Sequence, residues 1–298
     1  MNTTSVAEYS RAELGALAQR MPQRVKGPRA VSGTVKRFLL LTWMLAYLEF
    51  KLKFFGSVLG YAWQLVRPLL MFSVLYLVFT VAFNINAGVS YAPVVLLSAI
   101  VLFTFFSDST VGAIASIVDR ESLIRKISFP IIAVPLSTVT SVFLTVLLNY
   151  LVVVLLALVS GVTPTLRWLE VLPLLGLLYL VSASVGVALS AYYVRYRDVM
   201  PIWEVIAQVL FYASPIIYTI EYVQQHAGET VARLMMCNPV TTIIEQMRHA
   251  MIDPSAPSAG QALGGWIYLL IPMGLVVALT VFGYVSMRRL APRVAEEL

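Results

Sequence analysis

Six long apolar segments fill most of the chain between residues 60 and 288. Each reaches the roughly 20 residues that a helix needs to cross a hydrocarbon core about 30 Å thick. The segments are residues 63–83, 91–117, 131–160, 171–194, 199–220 and 266–287. The pattern predicts an all-α integral membrane protein with six transmembrane helices.

The composition excludes a soluble globular protein of this size. Hydrophobic residues make up 59% of the 298 residues and charged residues only 12%, more apolar surface than such a globule can bury. The single cysteine, Cys237, excludes an intrachain disulfide and a cysteine-based metal cluster, while an interchain disulfide stays open. Residues 1–37 lack the apolar core and cleavage site of a signal peptide and are predicted to form a cytoplasmic tail.

Lysine and arginine are concentrated on one side of the predicted membrane. Eighteen of the 21 lie in the N-terminal segment, in the loops after spans two and four and in the C-terminal tail, residues 291–298, or just before it. Because cytoplasmic segments carry the excess of these residues, both termini are predicted to be cytoplasmic. The net charge of +6 would attract anionic lipid or an acidic partner surface. No nucleic-acid-binding motif accompanies it.

Residues 38–60 combine an apolar run with charges and are predicted to form an amphipathic interfacial helix. The run is too short to cross a membrane and ends at Glu49, Lys51 and Lys53, with aromatic residues between these charges. This composition is typical of a helix in the headgroup plane, with its apolar side down and its charges up. The alternative is a distorted seventh span, which would place Lys51 and Lys53 on the side that disfavours them.

The loop after span two, residues 119–129, is short, charged and amphipathic. Leu123 and Ile124 fall near one predicted helical face, and charged residues surround the other. A short helix held between two spans is suited to pass force from a soluble partner into the membrane. On this pattern alone, a solvated connector is the simpler interpretation.

The last loop on the far side is long and contains two short amphipathic patterns, residues 222–235 and 239–251. Pro215 interrupts span five before its outer end. The arrangement predicts a helical hairpin, residues 221–252, that re-enters the outer leaflet where protein or water satisfies its backbone. The sequence shows no internal repeat, which argues against the inverted-repeat architecture of many secondary transporters.

Few residues could carry chemistry. His226 and His249 lack metal-ligand spacing, and the sequence predicts no metal site. It contains no phosphate-binding loop, nucleophile elbow or HExxH motif. The acidic pair Asp119 and Glu121 sits among three basic residues rather than at a sugar-phosphate site. We therefore expect no enzymatic activity and no cofactor bound to this chain.

Three predicted spans carry related side chains along one helical face. Aromatic residues line one face of span one, polar and aromatic residues line one face of span five, and span three carries Thr138, Ser141, Thr145 and Asn149. Polar groups at membrane depth face protein or a cavity. The residues predicted to line a channel are Phe72, Tyr76, Phe79, Glu204, Gln208, Phe211, Tyr212 and Tyr218. Helix–helix packing is the alternative for each stripe, and it is the prediction for Ser182, Gly186 and Ser190 in span four.

Two acidic residues lie inside predicted spans, and a charge there costs a few kcal/mol at mid-bilayer. Glu204 lies near the cytoplasmic end of span five and is predicted to reach the interface or to pair with Arg195 or Arg197. Asp108 lies deeper and is predicted to face protein or water.

Four motifs in order resemble the permease subunits of ABC exporters of lipid-linked polysaccharides, such as O-antigens, capsules, teichoic acids and cell-wall galactan. The resemblance covers roughly residues 38–290. The motifs are EFKLKFFGSVLGYAWQLVRPL at 49–69, LIRKISFP at 123–130, YVRYRDV with SPIIY at 193–199 and 214–218, and CNPVTTIIEQMR at 237–248. Leu48 and Phe54 stand where the family often has arginine and tyrosine.

The resemblance implies a six-span permease domain, residues 61–290, in a homodimer that binds two copies of a separate ATPase. ATP and Mg²⁺ would bind that ATPase, and the membrane would be the bacterial inner or plasma membrane. The paired permeases would form a channel for the polysaccharide. Lys51 and Lys53 would either attract the pyrophosphate of the lipid carrier or make a generic contact with lipid headgroups. The residues expected to dock in the ATPase are Asp119, Arg120, Glu121, Leu123, Ile124, Arg125, Lys126 and Ser128.

Three other functions remain open at this point. An ABC permease for a small drug or lipid would share the topology. An ion-coupled secondary transporter would work as a lone chain driven by a gradient. A membrane enzyme would convert its substrate without any ATPase.

Overall fold

The computed structural model describes residues 35–54, 60–83, 85, 89–126 and 130–297, and all regular structure within these ranges is helical. The short turns that extend or precede helices are the π-helical segments Tyr76–Ala82 and Arg248–Ile252 and the 3-10 segments Leu166–Glu170 and Trp266–Leu269. The helices are α1 (Val35–Phe54), α2 (Gly60–Leu75), α3 (Ala92–Asp119), α4 (Glu121–Lys126), α5 (Ala133–Val159), α6 (Val171–Tyr193), α7 (Val199–Tyr212), α8 (Ile220–Ala227), α9 (Glu229–Met236), α10 (Pro239–Met247), α11 (Ala259–Ala262) and α12 (Leu270–Glu297).

Within the described ranges, five helical segments are long and apolar enough to cross a membrane. They are Ala62–Ala82, Ala92–Asp119, Ala133–Val159, Leu166–Tyr193 and Trp266–Leu290. They correspond to predicted spans one to four and six. At its C-terminal end the backbone of α12 stays helical to Glu297, through most of the predicted tail.

The predicted fifth span is shorter than the sequence suggested. Its helix, α7, contains 14 residues and ends at Tyr212, so it measures about 21 Å. Turns follow as far as Thr219. Pro215 cannot donate a backbone hydrogen bond and disfavours helical geometry at the residue before it, which accounts for the early end. The prediction of one continuous helical face from Glu204 to Tyr218 is therefore wrong beyond Tyr212.

Helix α3 is the most buried of the five long segments and packs against α5, α6, α7 and α10. Apolar side chains around its whole circumference are buried, including Leu96, Ile100 and Ile114. Its neighbour α7 is attached through Trp203, whose indole N–H donates to Thr110 Oγ1 at 2.9 Å. A helix that is apolar all round is stable where other helices surround it, so α3 forms the centre of the bundle.

Small residues bring α6 close to its neighbours, as the sequence predicted for Ser182, Gly186 and Ser190. A Cβ atom at Gly186 would lie 2.7 Å from Ala113 Cβ on α3. On the other side of α6, a Cβ atom at Gly283 of α12 would lie 2.5 Å from the backbone oxygen of Ser184. Glycine thus permits contacts between helices that any side chain would obstruct.

Helix α1 turns one of its charges, Glu49, toward the protein rather than away from it. Thr42, Ala46 and Glu49 recur at steps of three and four residues on the face that packs on α5, and Lys53 follows at the same spacing but is exposed. The outward face is apolar, with Leu39, Trp43 and Tyr47 about half exposed. Glu49 therefore does not belong to an outer charged face, whereas Lys51 and Lys53 are exposed. The position of α1 at the membrane interface stays a prediction.

The long loop after α7 is helical, and one of its helices is part of the main core. Gly228 has φ +90° and separates α8 from α9, so the first predicted pattern forms two helices rather than one. Val240, Ile243 and Met247 of α10 belong to the same apolar core cluster as α3 and α6. This burial is compatible with the re-entrant hairpin, which stays a prediction.

The contact between α12 and α6 predicts a difference between two glycines of one helix. Gly283→Ala should lower stability, by about 1–3 kcal/mol for overpacking, because the new methyl group meets the backbone of Ser184. Gly274→Ala is the matched control, since a Cβ atom there meets nothing within 4 Å. Thermal unfolding of the detergent-solubilised protein measures both, and equal midpoints for the two variants would contradict the packing.

Candidate functional site

A charged cavity of about 800 Å³ lies between α1, α3 and α5, and we call it the α1 cavity. Apolar side chains of α1 form part of its wall, but charged residues distinguish it in a chain that has few of them. The ionisable residues that border it are Glu49, Lys53, Arg67, Asp108, Arg120 and Glu204. Charges among apolar helices are costly and are therefore candidates for function.

Glu49 and Arg120 form an ion pair at one end of the α1 cavity. Arg120 Nη2 lies 2.5 Å from Glu49 Oε2, and both side chains are about three-quarters buried. Thr138 Oγ1 donates to the same carboxylate at 3.3 Å, and Arg120 Nη1 donates to Ser137 Oγ at 2.9 Å. The pair joins α1 to the turn between α3 and α4, and both partners also bind α5.

The predicted coupling segment begins at this pair. Asp119 ends α3 and is exposed, and Arg120 occupies the turn before α4. Leu123 borders the α1 cavity, whereas Ile124 packs on a small apolar cluster that contains Ile117 and Val134. Glu121 begins α4. The predicted coupling residue Ser128 and the side chains of Arg125 and Lys126 lie outside the described part of the structure.

Arg67 and Asp108 form a second pair, which the sequence analysis missed. Arg67 Nη1 lies 3.6 Å from Asp108 Oδ2, and the side chains are 66% and 37% exposed. Asp108 therefore faces protein and a cavity, as the sequence predicted, but its charged partner was not predicted. The signal was available: each residue is a lone charge within an apolar run, but Arg67 was counted only among the cytoplasmic charges.

A groove of about 320 Å³ lies on the other side of this pair, between α2, α3 and α7, and we call it the α7 groove. Glu204 and Gln208 are exposed on its wall, and no ion pair joins Glu204 to Arg195 or Arg197. Phe211 is buried and packs edge-on against Phe103, with ring centroids 5.3 Å apart. Tyr212 also borders the groove and is exposed.

The structure does not bring all predicted channel residues together within one chain. Phe72 and Tyr76 stack at 5.6 Å and, with Phe79, are partly buried against the core. None of these three borders the α1 cavity or the α7 groove. Tyr218 lies beyond the end of α7, and its hydroxyl donates to the backbone oxygen of Tyr212 at 2.7 Å. Only Glu204, Gln208, Phe211 and Tyr212 share one groove.

The polar face predicted for span three does meet cavities. Thr138 and Ser141 border the α1 cavity. Thr145 and Asn149, one and two turns further along α5, border a small pocket that also includes Lys53, Arg67 and Asp108. The hydroxyls and the amide thus extend the charged region along α5. In the part of the chain that the structure covers, no group of three or more His, Cys, Asp or Glu residues could hold a metal ion.

Comparison with known proteins gives the family. Residues 41–252 match the family described as ABC-2 type transporter. The chain belongs to this family. The ABC-2 chain is similar to an "O-antigen export system permease protein" of Klebsiella pneumoniae, with 25% identity over 84% of this chain and 92% of that protein. A protein of the same description from Myxococcus xanthus is 26% identical over 71% of this chain and 80% of its own length. The family and the long apolar helices establish an integral membrane protein.

A second charged cluster of the ABC-2 chain lies away from both cavities, in the segment after α7. Arg248 Nη1 is 2.8 Å from Glu221 Oε2 on α8 and 3.5 Å from Glu245 Oε2 on α10. Arg248 and Glu245 are almost fully buried, and Asp253 lies near enough to act on Arg248. The cluster holds α8 against α10 and contains more acidic than basic groups.

The two glutamates of this cluster have opposite pKa shifts. Burial raises the pKa of Glu245 from 4.5 to about 7; the charge of Arg248 opposes this rise and that of Glu221 adds to it. For Glu221, burial also acts to raise the pKa, but the closer hydrogen bond and the charge of Arg248 outweigh it and the pKa is lowered. Arg248 therefore stabilises the ionised form of Glu221 more than that of Glu245, and Glu245 holds a proton near neutral pH.

The raised pKa of Glu245 predicts that acid stabilises the ABC-2 chain through this residue. Between about pH 4.5 and 7 the folded state holds a proton that the unfolded chain has released, so stability falls as pH rises through this window, by ~3 kcal/mol at most. Glu245→Gln should reduce this pH dependence and raise the unfolding midpoint at pH 8. Thermal unfolding in detergent between pH 4.5 and 8 measures it.

The exposed Glu229→Gln is the control for this prediction, because Glu229 pairs only with Arg233 on the surface of α9. It should keep the pH dependence of the unaltered protein. An unchanged pH dependence in Glu245→Gln would contradict the assignment.

Proposed function

We propose that this chain is the channel-forming permease subunit of an ATP-driven exporter of a lipid-linked polysaccharide. The observation that carries the proposal is the likeness to O-antigen export permeases along 84% of this chain and 92% of the relative. The charged α1 cavity beside a polar and aromatic groove supports it, because such a substrate has an anionic phosphate anchor and a long chain of hydroxyl groups.

The α7 groove is proposed to be one wall of the channel, with a second copy of the chain supplying the other. Only Ala207 and Phe211 of α7 are buried, and most of the other side chains of this helix are exposed in the described part of the chain. Gln208 and Tyr212 would offer an amide and a ring to the glycan. Rings can pack on the C–H faces of sugars, while amides exchange hydrogen bonds with their hydroxyls. The aromatic stripe of α2 and of the π-helical segment after it, with Phe72, Tyr76 and Phe79, would contribute where the copies meet.

Energy is proposed to enter through α4 from a separate ABC ATPase, which would bind ATP and Mg²⁺. Family membership supports such a partner, because an ABC-2 chain is a membrane subunit of a transporter. The predicted orientation places α4 and both termini in the cytoplasm of a bacterial cell, where an ATPase could reach them. The Glu49–Arg120 pair would pass a movement of α4 to α1.

Depletion of the chain in cells tests the function. Radiolabelled polysaccharide should accumulate inside the cells and disappear from the surface, and normal surface polymer would contradict the proposal. Trapped polymer also separates this function from the export of a small drug or lipid. The purified chain alone should neither hydrolyse ATP nor transport along an ion gradient, which separates it from a membrane enzyme and a secondary transporter.

Charge exchange at Glu49 and Arg120 tests the path of force. Glu49→Arg and Arg120→Glu alone should each reduce polymer export several-fold per ATP hydrolysed, because each leaves a partly buried charge unpaired. The double exchange should restore part of the loss, because it re-forms the ion pair while Ser137 and Thr138 are positioned for the native side chains.

Arg289→Glu, on the exposed end of α12, is the charge-matched control for this exchange. It should export normally. Normal coupling in both single variants at Glu49 and Arg120 would remove the pair from the path.

A further inference from the structure

The Arg67–Asp108 pair lies where the α1 cavity and the α7 groove meet. The residues that border both spaces are Arg67, Asp108, Val111 and Glu204. Arg67 is the only one of the four that α2 supplies, and its guanidinium reaches the carboxylate of α3. Any charged group that passes from the cavity to the groove therefore passes this contact.

The pair is looser than the Glu49–Arg120 pair of the α1 cavity and the Arg248–Glu221 pair after α7, and about as long as the second contact of Arg248, with Glu245 at 3.5 Å. Its N–O distance is 3.6 Å, against 2.5 Å for Arg120 and Glu49 and 2.8 Å for Arg248 and Glu221. Charge-assisted hydrogen bonds measure about 2.7–2.9 Å. The guanidinium is also two-thirds exposed. Arg67 is thus held to Asp108 by charge without a short hydrogen bond, which leaves its donors accessible to another anion.

In the small pocket beside α5, basic side chains outnumber acidic ones, which favours a phosphate at Arg67. Lys53 borders the α1 cavity and shares the small pocket beside α5 with Arg67 and Asp108. Among the described residues, Asp108 is the one carboxylate of that pocket, and Glu204 on α7 borders both the α1 cavity and the α7 groove. A guanidinium presents five donors in a fork that matches phosphate oxygens in two contacts. A phosphate with two negative charges would compete with Asp108 for that fork.

We propose that Arg67 is a phosphate ligand for the membrane-anchored substrate and that Asp108 holds this arginine when no phosphate is bound. A phosphate that enters the α1 cavity takes Arg67 from Asp108, and the released side chain opens the boundary to the α7 groove. This inference rests on the proposed function, since export of a lipid-linked polysaccharide is what brings a phosphate to the cavity.

The test uses the complex of the permease and its ATPase in vesicles of zwitterionic lipid. The probes are a prenyl diphosphate, the corresponding prenol and inorganic pyrophosphate, and the readout is the probe concentration that gives half-maximal ATPase stimulation. The unaltered complex should respond to the prenyl diphosphate and not to the prenol. Equal stimulation by inorganic pyrophosphate would overturn the requirement for a membrane anchor.

Variants at the two positions test the exchange. Arg67→Gln should raise the half-maximal concentration about tenfold or more, the worth of a hydrogen bond to a charged group. Arg67→Lys should give a half-maximal concentration between those of the unaltered complex and Arg67→Gln, because lysine keeps the charge and loses the fork of donors. Asp108→Asn should lower the half-maximal concentration, since it removes the competing carboxylate. Arg289→Gln, which removes an exposed positive charge from α12, should leave it unchanged.

The exchanged pair, Arg67→Asp with Asp108→Arg, separates a substrate ligand from a structural ion pair. It should restore any folding lost in the single variants Arg67→Asp and Asp108→Arg, measured by size-exclusion chromatography. It should not restore the response to the prenyl diphosphate. Full recovery of that response, or an unaltered response in Arg67→Gln, would overturn the role of Arg67 and leave the export function standing. No response in the unaltered complex would overturn both.

Discussion

Charges carried by the most buried long helix organise this protein. Helix α3 is surrounded by other helices, yet it contains Asp108 in its middle, and Arg120 follows its last residue. An ionised group among apolar helices needs a partner or a water-filled space. Arg67 of α2 and Glu49 of α1 supply the partners, and the α1 cavity supplies the space. Asp108 and Arg120 thus join each of the two helices α1 and α2 to the bundle.

The sequence predicts this fold well where the cause is local and poorly where it is tertiary. Span lengths follow from bilayer thickness, and the close contact of α6 follows from small residues such as Gly186. The early end of α7 was visible at Pro215, but hydropathy alone continued the span to residue 220. Glu49 was expected on the outer face of α1 because charges were expected to face water. It instead pairs with Arg120 inside the protein.

The candidate site shows the same division. Polar residues of α5 were placed on one face by their spacing, and Thr138 and Ser141 do border the α1 cavity. The pairing of Arg67 with Asp108 could not be predicted, because residues 41 positions apart on different helices meet only when α2 and α3 pack. Phe72 on α2 and Tyr76 and Phe79 on the π-helical segment after it do share a side, but its orientation toward the core depends on neighbours that one chain's sequence does not specify.

The two ion pairs of the α1 cavity, Glu49–Arg120 and Arg67–Asp108, differ in strength, so the two ends of the cavity differ in how easily they open. The pair at the α4 end is short and partly buried, so breaking it leaves charges that the surroundings stabilise poorly. The pair at the α7 groove is long and exposed, and such pairs contribute about 0–1 kcal/mol. A force on α4 would therefore move α1 and α3 together before it separates them. An anion in the α1 cavity would therefore break the Arg67–Asp108 pair, on the side of the α7 groove, more easily than the Glu49–Arg120 pair.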